Sequence, residues 1–261
     1  MRKIAHINIV AIIQARMGSS RLPGKVLMRI KNKPILQHII ERVGHSKFID
    51  KIVIATTDNQ EDHVIVELCN NLKVEYFRGS ESDVLDRYYQ CAKAYGADIV
   101  VRITGDCPFA DPDVIDKTID HLIKSKKDYV STAYPFSTFP DGLDVEVFNF
   151  TSLERAWLEA KLPSEREHVT PFIWKNENKQ FKIQTIKNDE DLSNKRWTID
   201  DEKDYQFIEL VYNALYNECS IFKMQDILKF LQKNPQIEKI NADTVRNEGY
   251  AKSLKLDKKV Y

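Results

Sequence analysis

The chain has 261 residues, of which 43% are hydrophobic, and its 39 Lys and Arg residues balance 39 Asp and Glu residues. This length and composition suffice for one large globular domain with a full core, whereas a neutral chain is not typical of proteins that bind nucleic acid or membrane surfaces. No apolar run has the length of a membrane span and no signal-like leader is present, so we expect a cytoplasmic protein.

The four cysteines, Cys69, Cys91, Cys107 and Cys219, are scattered and form no Cys-x-x-Cys pair. This spacing argues against a zinc site and against a disulfide framework. We expect Cys69 and Cys91 to be small buried thiols of the core.

Apolar runs of strand length alternate with segments of helical period through the first half of the chain. This alternation predicts β-α-β units and a mostly parallel sheet, which define an α/β fold. Pro34 opens and Gly44 ends one predicted helix, and Asp111 with Pro112 opens another. The predicted strands lie near residues 8–13, 51–55, 73–77, 98–103 and 128–132.

The pattern changes after Ser131. Residues 134–142 form a loop rich in proline and aromatic residues, and 143–148 alternate apolar with acidic residues as a half-exposed strand does. We therefore expect the sheet to turn antiparallel here, followed by a helix in which Ser164 and Glu167 form a capping box. Further predicted elements are a strand at 181–186, a helix after Asp200, and a helix from 221 through 231 that leads into a charged tail.

The segment 12–25 directly follows the first predicted strand and turns through small residues whose backbone N–H groups can point inward. It carries Arg16, Arg21 and Lys25 and no acid, in a chain whose charges otherwise balance. This pattern predicts a cradle for a polyphosphate, and a triphosphate suits it best. The alternative is a basic surface loop without a ligand.

The spacing of this loop differs from two well-known phosphate-binding motifs. Five residues separate Gly18 from Gly24, and Val26 follows Lys25, so the loop is not a Walker motif. The chain contains no Gly-x-Gly-x-x-Gly, which excludes the dinucleotide fingerprint.

Two acids are candidates for a metal site. Open α/β sheets bind ligands at the carboxyl ends of their strands, so the basic loop and the loop after Thr104 should face one crevice. Asp106 lies in that second loop, and Asp200 ends the run 196–200. A few carboxylate oxygens together with substrate phosphates suffice for Mg²⁺. The alternatives are a turn-stabilising role for Asp106 and a helix cap for Asp200, with Asp201 as the neighbour most easily confused with it.

Several motifs spread over nearly the whole chain can be compared with a known family. They are Ile13-Gln-Ala-Arg-Met-Gly-Ser-Ser-Arg-Leu-Pro-Gly-Lys25, Phe77-Arg-Gly-Ser80, Asp83-Val-Leu-Asp-Arg-Tyr88, Arg102-Ile-Thr-Gly-Asp-Cys-Pro108, Ser164-Glu-Arg-Glu-His-Val-Thr-Pro171, Arg196-Trp-Thr-Ile-Asp200 and Arg246-Asn-Glu-Gly-Tyr250. Together they resemble the cytidylyltransferases that activate 3-deoxy-octulosonic and sialic acids. The spore-coat polysaccharide biosynthesis branch of that superfamily is more similar still.

This resemblance implies a Rossmann-like, three-layer α/β/α nucleotidyltransferase fold of the nucleotide-diphospho-sugar transferase type, with a mostly parallel sheet, an antiparallel strand and a small dimerisation arm. It also implies the reaction, in which CMP passes from CTP to a sugar, a sugar acid or a small phosphorylated acceptor and pyrophosphate is released, for surface polysaccharide biosynthesis. Acids at the matching positions bind the metal in the family, which favours Asp106 and Asp200 as ligands of Mg²⁺.

The resemblance further implies a homodimer and a division of the chain. Residues 1–220 are expected to form the nucleotidyltransferase domain, with an acceptor and dimerisation region at 131–187. Residues 221–261 are expected to form a C-terminal helical extension and tail.

The predicted site residues fall into three sets. We assign catalysis to Arg16, Lys25, Asp106 and Asp200, since cations must meet the charge that builds up on the phosphates during in-line attack. The predicted nucleotide-binding residues are Ala15, Arg16, Gly18, Ser19, Ser20, Arg21, Lys25, Arg87, Thr104 and Asp106, of which Ala15, Arg87 and Thr104 rest on the resemblance. The predicted acceptor-binding residues are Glu165, Arg166 and His168.

Local structural roles are the alternatives for several of these residues. Arg87 could pair with Asp83 or Asp86 on its own helix surface. Glu167 fits a capping box, and His168 could be a half-buried helix histidine without a chemical role.

Two other functions compete with a cytidylyltransferase. A glycosyltransferase that uses a nucleotide sugar would hold its metal through Asp-x-Asp after a buried strand, but Asp111-Pro-Asp113 comes late and opens a helix. A nucleotide-binding protein without catalysis is disfavoured because both proposed metal acids are present.

Overall fold

The computed structural model describes residues 6–217, 221–243 and 248–257, and a seven-stranded mixed sheet forms its centre. Two short strands, Arg29–Ile30 and Lys33–Pro34, pair in a separate hairpin. In chain order the strands are β1 (Ile9–Gln14), β2 (Arg29–Ile30), β3 (Lys33–Pro34), β4 (Lys51–Thr57), β5 (Glu75–Gly79), β6 (Ile99–Thr104), β7 (Tyr129–Ser131), β8 (Glu146–Asn149) and β9 (Ile183–Thr185).

Helices follow most of these strands. Short 3₁₀ turns occupy Lys25–Leu27 and Gln60–Asp62. The α-helices are α1 (Ile35–Val43), α2 (His63–Leu72), α3 (Val84–Ala94), α4 (Pro112–Ser125), α5 (Phe150–Glu159), α6 (Pro163–His168), α7 (Pro171–Lys175), α8 (Glu202–Leu215), α9 (Met224–Lys233), α10 (Pro235–Glu238) and α11 (Glu248–Asp257).

The strand order in the main sheet is β5-β4-β1-β6-β8-β7-β9. Every neighbouring pair is parallel except those of β8, which runs antiparallel to both β6 and β7. The predicted mostly parallel sheet and its antiparallel turn are therefore confirmed, with strand ends that differ from the predicted ones by a few residues.

Alternate residues of β1 face two different hydrophobic cores. Ile9, Ala11 and Ile13 pack in a cluster with residues of α1, α4 and α8, whereas Val10 and Ile12 pack in a second cluster with residues of α3 and α5. A strand that is buried on both faces reads as a continuous apolar run, which is what this part of the sequence shows. The predicted three-layer α/β/α arrangement is thus confirmed.

The prediction of a half-exposed strand at 143–148 was wrong. Strand β8 lies in the interior of the sheet, and the Glu146 side chain is only 2% exposed. Its carboxylate accepts hydrogen bonds from Tyr129 and Thr170 and pairs with Arg102. The acidic residues of this segment face an internal cavity, so their alternation does not mark a solvent-exposed face.

The predicted capping box of Ser164 and Glu167 was also wrong, because the N-cap of α6 is Leu162, two residues before Ser164. The Glu165 carboxylate accepts the backbone N–H of Leu162 at 3.0 Å, which caps the helix start. The N–H and the hydroxyl of Ser164 instead bond to the Asp257 carboxylate, at 2.8 and 2.6 Å. These bonds attach α11 to α6. The division of the chain at 220 stays a prediction.

Three smaller expectations concern helix length and cysteines. None of the helices among the described residues combines the length and apolar character needed to cross a membrane. Cys69 and Cys91 are buried, as predicted, and Cys107 is buried as well. Cys219 lies outside the described residues.

A substitution at Gly142 tests the close approach of this residue to the backbone of Trp197. It has φ +102°, and a Cβ there would lie 2.6 Å from the carbonyl carbon and oxygen of Trp197. We predict that Gly142→Ala lowers the free energy of unfolding by about 3 kcal/mol, because both the backbone angle and the contact are incompatible with a side chain. Urea denaturation measures the loss.

Gly96→Ala is the matched control, since Gly96 has φ +61° but nothing within 4 Å of its added Cβ. The control should lose only about 1 kcal/mol, the cost of the backbone angle alone. Equal losses in the two variants would contradict the close-contact explanation.

Candidate active site

A cavity of about 500 Å³ lies where β1 and β6 end, at Gln14 and Thr104. This is the edge at which open α/β sheets bind ligands. The predicted site residues that line it are Ala15, Arg16, Ser19, Ser20, Arg21, Lys25, Arg87, Thr104, Asp106, His168 and Asp200. The structure therefore brings the basic loop and both predicted metal acids to one crevice.

The basic loop is held closed by its own backbone. The carbonyl oxygen of Met17 accepts the N–H groups of Ser19 and Gly24, at 2.8 and 2.9 Å. The N–H of Met17 in turn donates to the buried Asp62 carboxylate at 2.6 Å. Gly24 has φ +73°, a conformation that glycine adopts without strain, and it leads into the 3₁₀ turn that carries Lys25.

Lys25 lies at the centre of the site and joins its two acids. Its Nζ donates to Asp106 Oδ2 at 2.9 Å, to Asp200 Oδ1 at 3.0 Å and to the Ile199 carbonyl at 2.7 Å. These bonds use all three ammonium protons of a residue that is 9% exposed. Burial alone would lower the pKa of Lys25, but the charges of Asp106 and Asp200 outweigh it and raise the pKa.

Two close approaches hold Asp106 and the segment before Asp200 side by side. The carbonyl oxygen of Asp106 accepts the Ile199 N–H at 2.9 Å and the Thr198 hydroxyl at 3.0 Å. A Cβ on Gly105 would lie 2.8 Å from the Gln14 carbonyl oxygen, so only glycine fits this turn between β6 and β1.

Arginines complete the surroundings of Asp200. Its Oδ2 accepts from Arg196 and from Arg21, each at 2.9 Å. Arg196 also donates to the buried Asp204 through two nitrogens at 2.8 Å, which fixes its guanidinium. The carboxylate of Asp200 therefore lies among three cations.

The structure separates the cap residue from the site residue at this helix start. Asp201 is the N-cap of α8, and its carboxylate accepts the N–H of Asp204 at 2.9 Å. Asp200 points to the cavity instead. The cap alternative for Asp200 is thus excluded, while Asp111 does cap α4, as the sequence allowed.

Arg87, one of the predicted nucleotide-binding residues, is 2% exposed and lines the cavity. One of its nitrogens donates to the Ser80 carbonyl at 2.7 Å, and its Nε has no partner among the described residues. Burial lowers the pKa of Arg87. The alternative of a surface pair with Asp83 was wrong, because that carboxylate caps α3 and pairs with Arg166.

The three predicted acceptor residues do not come together. His168 lines the cavity, but Glu165 and Arg166 are not among its lining residues. Glu165 caps α6 as described above, and Arg166 bonds to Asp83 and to the Trp157 carbonyl. Gly18 also lies off the lining, with its α-carbon near Glu61.

Sequence reasoning missed part of the cavity wall. The buried pair Arg102 and Glu146 lines it, as do Tyr250 and Lys252 of α11. A signal for Glu146 was present in the acids of an otherwise apolar strand. Nothing in the sequence places α11 beside α6, because that contact joins distant parts of the chain.

The donor chemistry fits Mg²⁺. Asp106 and Asp200 present carboxylate oxygens to the same nitrogen of Lys25, beside a basic loop that can hold phosphates. Hard oxygen ligands of this kind suit Mg²⁺, which completes its coordination with water and substrate phosphates. Larger clusters of three or more metal-binding side chains are absent from residues 6–217, 221–243 and 248–257.

Comparisons with known proteins agree with the fold. The family model described as cytidylyltransferase matches residues 10–245. An uncharacterized protein of Methanocaldococcus jannaschii is 45% identical over 94% of this chain and 98% of its own length. The spore coat polysaccharide biosynthesis protein SpsF of Bacillus subtilis is 33% identical over 87% of this chain and 95% of its own length.

Solved structures give the same result. A cytidylyltransferase from Leptospira borgpetersenii superposes with a TM-score of 0.85 at 34% identity, covering 92% of this chain and 99% of that one. A CMP:2-keto-3-deoxy-manno-octonic acid synthetase complexed with CTP has a TM-score of 0.59 at 19% identity, covering 80% and 100%, and shows the shared fold.

The fold and its relatives define a nucleotidyltransferase. Because the family model covers most of the sequence, the chain belongs to the cytidylyltransferase family.

The separate positions of Asp200 and Asp201 give a matched pair of variants. We predict that Asp200→Asn lowers CTP turnover by roughly a hundredfold or more, because it removes a charge that organises the cations of the site. Asp201→Ala should cost about 1 kcal/mol of unfolding free energy through the lost cap and change turnover only a few-fold. Pyrophosphate release and urea denaturation measure the two effects, and the reverse pattern would contradict the assignment.

Proposed function

We propose that this protein is a Mg²⁺-dependent cytidylyltransferase that transfers CMP from CTP to a small-molecule acceptor and releases pyrophosphate. The observation that carries the proposal is the contact of Lys25 with both Asp106 and Asp200 beside the basic loop. Cations and carboxylates from three distant parts of the sequence thus meet at one point of the cavity.

The basic loop would hold the triphosphate. Ser20 lines the cavity and its N–H group has no partner among the described residues, so it is available to a phosphate oxygen. Arg16 and Arg21 lie at the cavity wall, and a guanidinium can donate two parallel bonds to a phosphate. These groups, with Lys25, would stabilise the charge that develops as the acceptor oxygen attacks the α-phosphorus.

Asp106 and Asp200 would hold Mg²⁺, which supplies further neutralisation of phosphate charge when bound. The Lys25 charge keeps the pKa of Asp106 low, even though burial acts in the opposite direction, so this carboxyl stays ionised at neutral pH. An ionised carboxylate is the form that binds the metal.

Cytosine would lie near Ala15, Arg87 and Thr104, which line one wall of the cavity. The buried Arg87 supports this placement, since it lines the cavity and makes no ion pair with an acid of its own helix among the described residues. A donor held there suits the carbonyl oxygen of a pyrimidine.

Relatives suggest the acceptor class. SpsF is named for spore coat polysaccharide biosynthesis, and a 3-deoxy-manno-octulosonate cytidylyltransferase of Geobacter sulfurreducens is 34% identical over 46% of this chain and 47% of its own length. We therefore propose a sugar, a sugar acid or a small phosphorylated acceptor for surface polysaccharide biosynthesis. The cytoplasmic location and the homodimer stay predictions.

A glycosyltransferase that consumes a nucleotide sugar is the competing function. Asp111 and Asp113 do not support it, because Asp111 caps α4 and also accepts the N–H of Met224, while Asp113 pairs with Lys223. Neither residue lines the cavity. Consumption of an intact nucleotide sugar without pyrophosphate release would favour this alternative.

Turnover is tested by pyrophosphate release from CTP with Mg²⁺ and a panel of acceptors. We predict that Lys25→Met lowers kcat by roughly a hundredfold or more, because loss of one preorganised donor costs about 3 kcal/mol in the barrier. Lys33→Met is the matched control, since Lys33 pairs with Glu41 and does not line the cavity. Equal activity of the two variants would contradict the role of Lys25.

Nucleotide selection is tested by stability. At a hundred times its dissociation constant, CTP should raise the free energy of unfolding by about 2.7 kcal/mol. ATP, GTP and UTP at the same concentration should raise it less, and chelation of Mg²⁺ should reduce the effect of CTP. Stabilisation by all four nucleotides to the same extent would contradict cytosine selection.

A further inference from the structure

The cavity has a second side, which α6 and α11 build. His168 and Glu167 line it from α6, and Tyr250, Lys252 and Ser253 line it from α11. The basic loop and the two acids occupy the side formed by β1, β6 and the segment 196–200. Since the proposed nucleotide uses that side, the side of α6 and α11 is where an acceptor would approach.

His168 is held by a chain of hydrogen bonds across the two helices. Its Nε2 lies 2.9 Å from the hydroxyl oxygen of Ser253, and that hydroxyl lies 2.5 Å from the Glu167 carboxylate. Ser253 is 2% exposed, and the Tyr250 ring meets the His168 ring edge-on, with centroids 5.1 Å apart. The imidazole therefore has a fixed position at the cavity wall.

The hydrogen bonds among His168, Ser253 and Glu167 determine the tautomer of His168. The Ser253 hydroxyl has two neighbours that only accept, the Glu167 carboxylate at 2.5 Å and the Gly249 carbonyl at 3.1 Å, so its single proton goes to one of them, and the carboxylate is the nearer. The hydroxyl oxygen must then accept the N–H of His168 Nε2. In the neutral imidazole this leaves Nδ1 unprotonated, and Nδ1 has no hydrogen-bond partner in the described part of the chain.

The backbone directly after His168 is strained. Val169 has φ +71° and ψ −55°, and the N–H of Thr170 bonds to the His168 carbonyl at 2.8 Å, which closes a three-residue turn. A β-branched residue with positive φ is an outlier, and such strain persists only where the surroundings enforce it. This turn ends α6 directly after His168.

The charged groups around His168 favour its neutral form. Burial lowers the pKa of His168, and Arg102 acts in the same direction, while Glu167, Glu146 and Asp257 act against them. Glu146 is itself paired with Arg102, which limits its effect. A neutral imidazole near pH 7 is the form that can accept a proton.

We propose that His168 is the general base for the acceptor, taking the proton of an acceptor hydroxyl as its oxygen attacks the α-phosphorus of CTP. This inference rests on the proposed function and adds that the acceptor reacts through a hydroxyl group. An acceptor that attacked through a phosphate oxygen would already be ionised and would need no base.

The proposed step joins proton transfer to His168 with transfer of CMP to the acceptor oxygen. The acceptor O–H bond breaks and its proton moves to Nδ1 of His168, while the acceptor oxygen forms a bond to the α-phosphorus. The bond from that phosphorus to the bridging oxygen breaks, and its electron pair leaves with pyrophosphate. The imidazolium then gives its proton to solvent. Ser253 and Glu167 are positioning residues, because they act only through His168.

The tautomer is tested without any ligand. Nitrogen NMR of the full chain with ¹⁵N-labelled histidine, with His168 assigned from its absence in His168→Gln, should show a neutral ring at pH 7 that is protonated on Nε2. Ser253→Ala should mix the two tautomers, because the hydroxyl that orients Nε2–H is gone. A ring protonated on Nδ1, or an imidazolium at pH 7, would overturn the proposal.

Catalysis is tested with CTP, Mg²⁺ and two acceptor classes, hydroxyl acceptors such as 3-deoxy-manno-octulosonate and phosphomonoesters such as glucose 1-phosphate. We predict that the hydroxyl class supports pyrophosphate release and that His168→Gln lowers kcat by roughly a hundredfold, the usual effect of losing a general base. Gln keeps a donor for Ser253 but cannot take the proton. The KM for CTP should stay within about twofold, since His168 is not one of the residues assigned to the nucleotide.

The dependence of kcat on pH tests which protonation state of His168 is active. The base must be unprotonated, so kcat should fall as the pH drops through the pKa of His168, and this acid limb should vanish in His168→Gln. A second variant, His168→Ala, controls for misfolding of His168→Gln. Added imidazole should restore part of its activity. The exposed His63 pairs with Glu67 and is not among the residues that line the cavity, so His63→Gln is the control and should keep its activity.

Two results would overturn the role of His168: reaction with the phosphomonoester class alone, or unchanged kcat in His168→Gln. Stabilisation of the wild-type protein by CTP separates failure of the proposed function from failure of the role of His168. If CTP fails to stabilise the wild-type protein, the cytidylyltransferase proposal fails, whereas stabilisation by CTP together with an inactive wild type toward hydroxyl acceptors contradicts only the base.

Discussion

The contact of one ammonium group with two carboxylates is the constraint on which the rest of the site depends. Lys25 Nζ lies within 3.0 Å of both Asp106 and Asp200 in a largely buried position. A buried charge is tolerated only when it is paired and fully hydrogen-bonded, so the loop after β1, the turn after β6 and the segment before α8 must meet at this point. Removing Lys25 leaves the Asp106 carboxylate without an ion pair among the described residues.

The backbone around this contact is built to allow that meeting. Gly105 lets the turn after β6 approach the end of β1, and Gly142 lets the neighbouring loop lie against Trp197. Asp62 holds the basic loop through the Met17 N–H, although it belongs to a different β-α unit. The side of the cavity at the basic loop is therefore held by contacts from several segments, whereas its other wall, α11, is attached to α6 by bonds such as that of Ser164 to Asp257.

Local sequence patterns predict what depends on local physics. The strands of the parallel sheet follow from their apolar runs, and the convergence of Lys25 with Asp106 follows from the rule that strand ends share one edge. The fate of Asp200 and Asp201 could not be decided this way, since either carboxylate could cap α8. The buried role of Glu146 and the contact of His168 with Ser253 depend on residues far apart in sequence, which periodicity does not report.

The most direct test of the central claim is a crystal structure with CTP and Mn²⁺, in which anomalous scattering locates the metal. We expect one anomalous peak for Mn²⁺, in contact with the carboxylates of Asp106 and Asp200, and the triphosphate bound over residues 16–25. A metal bound away from both carboxylates, or a triphosphate bound outside this loop, would contradict it.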